Sequence, residues 1–227
     1  MLIAQTAGFA WGGSAPMAGN NWTARTSAGS RSWQAIACSS DGQRIAAAVY
    51  GGYIYTSTDG GATWTERTSA GSRNWYTIAC SADGQRIAAA VYGGSIYTSE
   101  DGGATWTERT GAGSRDWYTI ACSADGQRIA ATVYGGYIYT STDGGATWTE
   151  RTGAGVRSWR SITCSSDGQR IAAVGGTTNI YTSADGGATW TERTGAGSRD
   201  WYGVASSADV SLIAACADGN YIYTSEG

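Results

Sequence analysis

Arg31, Trp33, Tyr50 and Tyr53 are the first members of a grouping of side chains that returns along the chain. It recurs as Arg73, Trp75, Tyr76 and Tyr92, as Arg115, Trp117, Tyr118, Tyr134 and Tyr137, and in part as Arg199 and Tyr202. Guanidinium groups, aromatic rings with polar edges, and the glycine pairs that follow Tyr50, Tyr92 and Tyr134 are the residue types of a polar, aromatic-lined binding site. Rings can stack on a ligand, glycines let it approach backbone, and a ring of arginines favours carboxylated or sulfated groups. The same residues can serve as frame, with the tryptophans as core and each arginine covering an aromatic face. Either way the chemistry is recognition rather than catalysis. The 227 residues include no His, which removes the commonest general base, the commonest zinc ligand and any Ser/His or Cys/His pair. Carboxylates such as Asp83 and Glu66 sit at repeated positions, whereas a hydrolase needs one asymmetric pair with separated pKa values. The expectation is a protein that is not an enzyme and uses no cofactor or metal.

Charge narrows the partners. The 15 basic and 18 acidic residues, net -3, are interspersed, so there is no basic field to attract nucleic acid. No apolar run approaches the length of a membrane span, and the first positive side chain is Arg25, which makes the start a poor signal peptide. Neither membrane insertion nor a leader is expected. Cys38, Cys80, Cys122 and Cys164 recur every 42 residues while Cys216 stands apart; an odd count at equivalent positions suits small apolar filler better than a disulfide framework.

The elements that must position these side chains follow from the period. The sequence restarts at Trp22, Trp64, Trp106, Trp148 and Trp190, and residues 64–105 match residues 106–147 except at 69/111, 74/116, 90/132, 95/137 and 100/142. A repeat of 42 residues that reads as four short strands points to a propeller blade. In one copy, "WYTIACS" (75–81) is strand A, "RIAAAVY" (86–92) strand B, "SIYTS" (95–99) strand C and "TWTERT" (105–110) strand D. Strand B is apolar on both faces, as a strand between neighbours must be. Asp-Gly and Gly-Gly punctuation every 8 to 12 residues predicts no helix. The expected fold is all-β, a five-bladed β-propeller with blades over 33–68, 75–110, 117–152, 159–194 and 201–225. Residues 21–26, "NWTART", are the expected outer strand that closes the fifth blade and removes its exposed edge. Residues 1–20 align as a decayed blade fragment able to mediate oligomerisation; six blades is the alternative.

The tract S-x-D-x-G-x-x-W ends each of four repeats, with Asp59 and Trp64, Asp101 and Trp106, Asp143 and Trp148, and Asp185 and Trp190. It resembles the Asp-box, or BNR repeat, of sialidase-like β-propellers. An Asp at the head of a hairpin can accept loop N–H groups, and glycine supplies positive φ. The resemblance implies that the motif is structural and remote from ligand. The arginine triad and Tyr/Glu pair of sialidases find no counterpart, and the Arg-Ile-Pro motif is absent, the one proline being Pro16. The function expected is therefore a non-catalytic, lectin-like module binding glycans at several equivalent sites, on the face formed by the D–A and B–C loops. A protein-interaction or scaffold propeller, natural or engineered, with a protein partner or no ligand is the alternative. The chain is also similar to Asp-box propellers that help assemble photosynthetic complexes, a likeness of fold alone.

Overall fold

The computed structural model describes residues 3–6 and 22–226. Four successive antiparallel units of four strands are followed by one of three. The first comprises β2 (Trp33–Cys38), β3 (Ile45–Gly52), β4 (Ile54–Ser57) and β5 (Thr65–Arg67), preceded by β1 (Ile3–Thr6). The second holds β6 (Arg73–Cys80), β7 (Ile87–Gly94), β8 (Ile96–Ser99) and β9 (Thr107–Arg109). The third holds β10 (Arg115–Cys122), β11 (Ile129–Gly136), β12 (Ile138–Ser141) and β13 (Thr149–Arg151), and the fourth β14 (Arg157–Cys164), β15 (Ile171–Gly175), β16 (Ile180–Ser183) and β17 (Thr191–Arg193). The last is β18 (Trp201–Ser206), β19 (Leu212–Ala217) and β20 (Ile222–Glu226). The all-β, antiparallel expectation holds. Among the described residues helix is confined to five three-residue 3-10 turns such as Thr68–Ala70, each closed by the N–H of a following glycine.

The inner strand begins earlier than its hydrophobic pattern predicts. β6 starts at Arg73 because Arg73 and Asn74 pair with Gly52 and Tyr50 at the end of the preceding unit's β3. Local patterning cannot show this, since the partner belongs to another repeat. The same exchange joins β7 to β10 and β11 to β14. At the opposite end, backbone bonds link the A–B turns in series: Ser40 N–H to Ala82 O, Ala82 to Ala124, Ala124 to Ser166 and Ser166 to Ala208, all at 2.7 to 2.8 Å.

The core lies between units rather than inside them. Ala35, Ala46, Ala48 and Ile54 of the first unit pack with Trp75, Ile78, Ile87 and Tyr97 of the second; two further clusters repeat the arrangement one unit on. Alanine-rich strands let neighbouring sheets approach closely, and close packing is what makes such a core stabilising. Gly103 shows how tight the approach is: it has φ +89°, and a Cβ there would stand 2.9 Å from Thr56 Cγ2 of the preceding unit.

The closing strand expected at 21–26 is not formed among the described residues. Trp22 to Arg25 belong to no strand, Trp22 is 94% exposed, and β20 pairs with β19 alone. The segment is held elsewhere: Ser27 Oγ donates to Ala62 O of the first unit at 3.2 Å, the bond that Ser69 makes to Ala104 at 3.0 Å. It therefore sits on the leading side of the first unit instead of crossing to the edge of the last, and the sheet is not closed. Of the expected fragment 1–20 only Ile3–Thr6 is described. It forms a strand parallel to β2, with Ile3 opposite Ala35; the rest of the fragment lies outside the described residues.

Candidate functional site

Alternation along the inner strand separates the expected site residues into two sets, because successive side chains leave opposite faces. Trp75 and Trp117 turn into the core and are fully buried, with Trp33 of the first unit half-buried. Trp75 packs edge-on against Tyr97 at 5.1 Å and tilted against Trp106 at 6.3 Å. A ring with no exposed face cannot carry a ligand, so Trp75 and Trp117 leave the candidate set. The arginines leave it too. Arg31, Arg73, Arg115 and Arg199 each stack on the tyrosine of their own unit, at 4.6 to 4.7 Å from Tyr55, Tyr97, Tyr139 and Tyr223. Each Nε donates to a backbone carbonyl of the preceding 3-10 turn, as Arg73 does to Ala70 O at 3.0 Å. Beneath this clamp the Tyr55 hydroxyl donates to Glu66; burial first, and that bond second, push the Tyr55 phenol up to about 12. What the sequence offers as an arginine ring for anions is a set of clamps closing the outer strands.

The other set converges. Tyr76, Tyr118 and Tyr202, each following its buried tryptophan, meet Tyr50, Tyr92 and Tyr134 from the ends of β3, β7 and β11 around a cavity of about 320 Å³. The rings form a run: Tyr92 lies 5.5 Å from Tyr76, Tyr76 5.1 Å from Tyr118, and Tyr118 5.5 Å from Tyr134. Tyr50, Tyr92 and Tyr134 remain 44%, 38% and 44% exposed. Burial, then a hydrogen bond with Tyr118, raises the Tyr76 phenol well above its ordinary range. Tyr53 and Tyr137 lie beyond the glycine turn and do not line the cavity. Instead of several equivalent sites, the repeated tyrosines make one.

Its seventh lining residue was not among those singled out. Arg160 occupies the place of Tyr76, Tyr118 and Tyr202, with its Cζ 4.4 Å over the Tyr202 ring and its Nη1 2.9 Å from Asp200 Oδ1. The signal was legible, since Arg160 and Gly176 are the fourth repeat's departures from the tyrosines at both cavity positions. The same connection places Thr177 at φ +52°, where Gly93 and Gly135 stand in the second and third units.

The Asp-box occupies the opposite end. Ser57 Oγ donates to Asp59 Oδ1 at 2.7 Å and accepts from Gly61 N–H at 2.9 Å; Thr63 N–H and Oγ1 both donate to Asp59, and Trp64 Nε1 donates to Gly61 O at 3.0 Å. Asp101, Asp143 and Asp185 repeat this turn, with Trp106, Trp148 and Trp190 closing it. Gly102 N–H bonds to Gln85 O at 2.8 Å, which ties the motif to the A–B turn and away from the tyrosines. The Cys80 thiol is structural in character: it is buried, and desolvation pushes it up to about 12.

A family model for the BNR/Asp-box repeat matches residues 55–66 and 139–150. No curated protein matches the chain. Among solved structures, the GH74 enzyme of Niastella koreensis superposes with a TM-score of 0.67 at 19% identity, over 83% of this chain and 35% of that one. YCF48 from Cyanidioschyzon merolae superposes with a TM-score of 0.63 at 17% identity, over 86% of this chain and 66% of its own. YCF48 bound to the D1 peptide gives a TM-score of 0.58 at 18% identity, over 82% and 61%. The chain thus spans about a third of the GH74 enzyme and less than two thirds of either YCF48 chain. At these identities the likeness is one of fold. The chain thus carries BNR/Asp-box repeats, and its antiparallel units superpose on the GH74 and YCF48 propellers.

Proposed function

We propose that the chain is a non-catalytic, lectin-like module that binds carbohydrate in the tyrosine-lined cavity. The observation that carries this reading is the convergence of six tyrosines from four units on one opening of about 320 Å³. That volume is at the lower end for ligand sites and suits one or two sugar rings. Phenol faces stack on the apolar C–H face of a pyranose, and their hydroxyls bond its hydroxyls without burying a charge. The lining holds no carboxylate, where a glycosidase needs two of them some 5 to 10 Å apart. Acids elsewhere are engaged: Asp59 and its equivalents in turns, Glu66 and Glu150 by tyrosine hydroxyls.

A glycan array read with the wild type and with the double variant Tyr92→Ala/Tyr134→Ala tests the reading. Wild type should retain a set of glycans, and the variant should lose them by about tenfold or more while unfolding within about 1 kcal/mol of wild type, because both side chains are largely solvated. An array silent for wild type would end the proposal. A protein partner is the second reading, suggested by the YCF48 structure with its bound peptide; recovery of a stoichiometric polypeptide through the same tyrosines, with no glycan bound, would replace the first reading with it.

A further inference from the structure

The fourth unit departs from its neighbours at two positions that act together. In the second and third units the cavity wall is a tyrosine pair, Tyr76 with Tyr92 and Tyr118 with Tyr134, each at 5.5 Å. The fourth carries Arg160 and Gly176 instead, and Asp200 reaches over from the next inner strand to meet the guanidinium. Gly176 suits this arrangement: a Cβ there would lie 3.0 Å from Asp200 Oδ1 and 3.1 Å from Arg160 Nη2, a tight fit. Loss of one tyrosine therefore makes the space that gain of the arginine uses. The guanidinium is mostly withdrawn from water, with 17% of its side chain exposed, against 42% for Asp200.

The pairing with Asp200 leaves the arginine underused. Nη1 lies 2.9 Å from Asp200 Oδ1, an ion pair made through that one nitrogen. One face of the group lies on Tyr202, while the guanidinium carries five N–H donors in a planar fork matched to a carboxylate. Among the described residues that line the cavity it is the only charged group. A partly desolvated cation beside neutral phenols attracts an anion more strongly than one in open water. A single cation suits a ligand with one carboxylate per sugar ring rather than a densely sulfated polymer, which needs several.

We propose that Arg160, given room by Gly176 and paired with Asp200, is the specificity-determining residue of the cavity and selects an oligosaccharide that carries a uronic-acid carboxylate. This rests on the carbohydrate reading above and deepens it.

The test measures, by calorimetric titration of the full chain, the ratio of affinities for a galacturonate trisaccharide and for the neutral galactose trisaccharide of the same linkage. Wild type should prefer the acidic sugar by about tenfold or more, as a charge-assisted hydrogen bond implies, and the preference should shrink at high salt. The double variant Arg160→Tyr/Gly176→Tyr restores the wall of the second and third units and so has a packing precedent within the molecule. In it the ratio should fall to about one, with melting curves confirming the fold. Asp200→Asn frees the guanidinium from its competitor and should raise the ratio. A ratio near one in wild type, or one unmoved by the double variant, or one unmoved or lowered by Asp200→Asn, overturns the assignment of Arg160 while carbohydrate binding stands. Failure of wild type to bind either sugar, or any glycan on the array, overturns both.

Discussion

Ile138 and Ile222 hold the same place in the repeat, two periods apart, and their surroundings differ completely. Ile138 is fully buried, packed against Trp159 and Ile162 of the following unit; Ile222 is 76% exposed. Tyr137 and Tyr221 differ in the same sense, half-buried against 78% exposed. Between the third unit and the fifth the residue type does not change; what changes is whether another unit packs on it among the described residues. Hydrophobic stabilisation scales with apolar area removed from water, so here it is earned at the joint between units and hardly at all within a single sheet. The behaviour is that of repeat architectures in which nearest-neighbour interfaces carry the fold.

The largest effect that would break this comparison is a truncation at the two isoleucines. Ile138→Ala should cost about 2 to 5 kcal/mol, the range for emptying a closed core site. Ile222→Ala should cost no more than about 0.5 kcal/mol, as at an ordinary surface position. Denaturant melts of the two variants decide the matter. Equal losses would mean that the last unit is covered in solution and that its exposed face is not the resting surface.

A smaller effect separates frame from site. Arg115 stacks on Tyr139 at 4.6 Å and its Nε donates to Ala112 O at 3.0 Å. Arg115→Ala should therefore destabilise by about 1 to 2 kcal/mol, the sum of an exposed cation–π contact and one hydrogen bond, and leave glycan binding alone. Full stability with lost binding would return the arginines to the ligand face. The contrast with Arg160 is instructive, because five arginines at one repeat position, Arg31 to Arg199, serve the frame and the one that breaks the repeat faces the cavity.

The period, the strand types and the Asp-box turns were all legible, because each is a local pattern: alternation, Asp-Gly turns and a terminal tryptophan. The candidate site was legible only as a composition. Alternation says that Trp75 and Tyr76 leave opposite faces, but both faces of the inner strand are next to other protein, so one-dimensional pattern could not say which face opens on the cavity. Nor could it show that Arg73 belongs to the pairing with Gly52, since that partner lies in another repeat. The closing strand failed for a related reason. "NWTART" has the sequence of an outer strand, yet Ser27 holds it to the first unit by the contact that Ser69 makes to the second.

The smallest effect concerns acid, and it separates the first four units from the fifth, which has no Asp-box turn among its described residues. Hydrogen bonds from Thr63, first its hydroxyl and then its N–H, with a further one from Ser57, hold the Asp59 carboxyl at about 2, below its ordinary 3.8. Asp185 is held at about 2 by Thr189 and Ser183 in the same way. The folded form thus prefers the ionised carboxylate, so these turns contribute stability that is fully present above about pH 4 and is lost as the pH falls through 2. Both carboxylates are exposed, so each contribution is small and is screened by solvent. Replacing Asp59 and Asp185 by Asn removes the titrating group and keeps an acceptor oxygen. Melting temperatures of wild type and the double variant should differ most at pH 7, and the gap should narrow between pH 4 and pH 2. A gap that stays constant over that interval would show that the Asp-box acts through its shape alone, with the ionised carboxylate contributing nothing beyond the neutral amide.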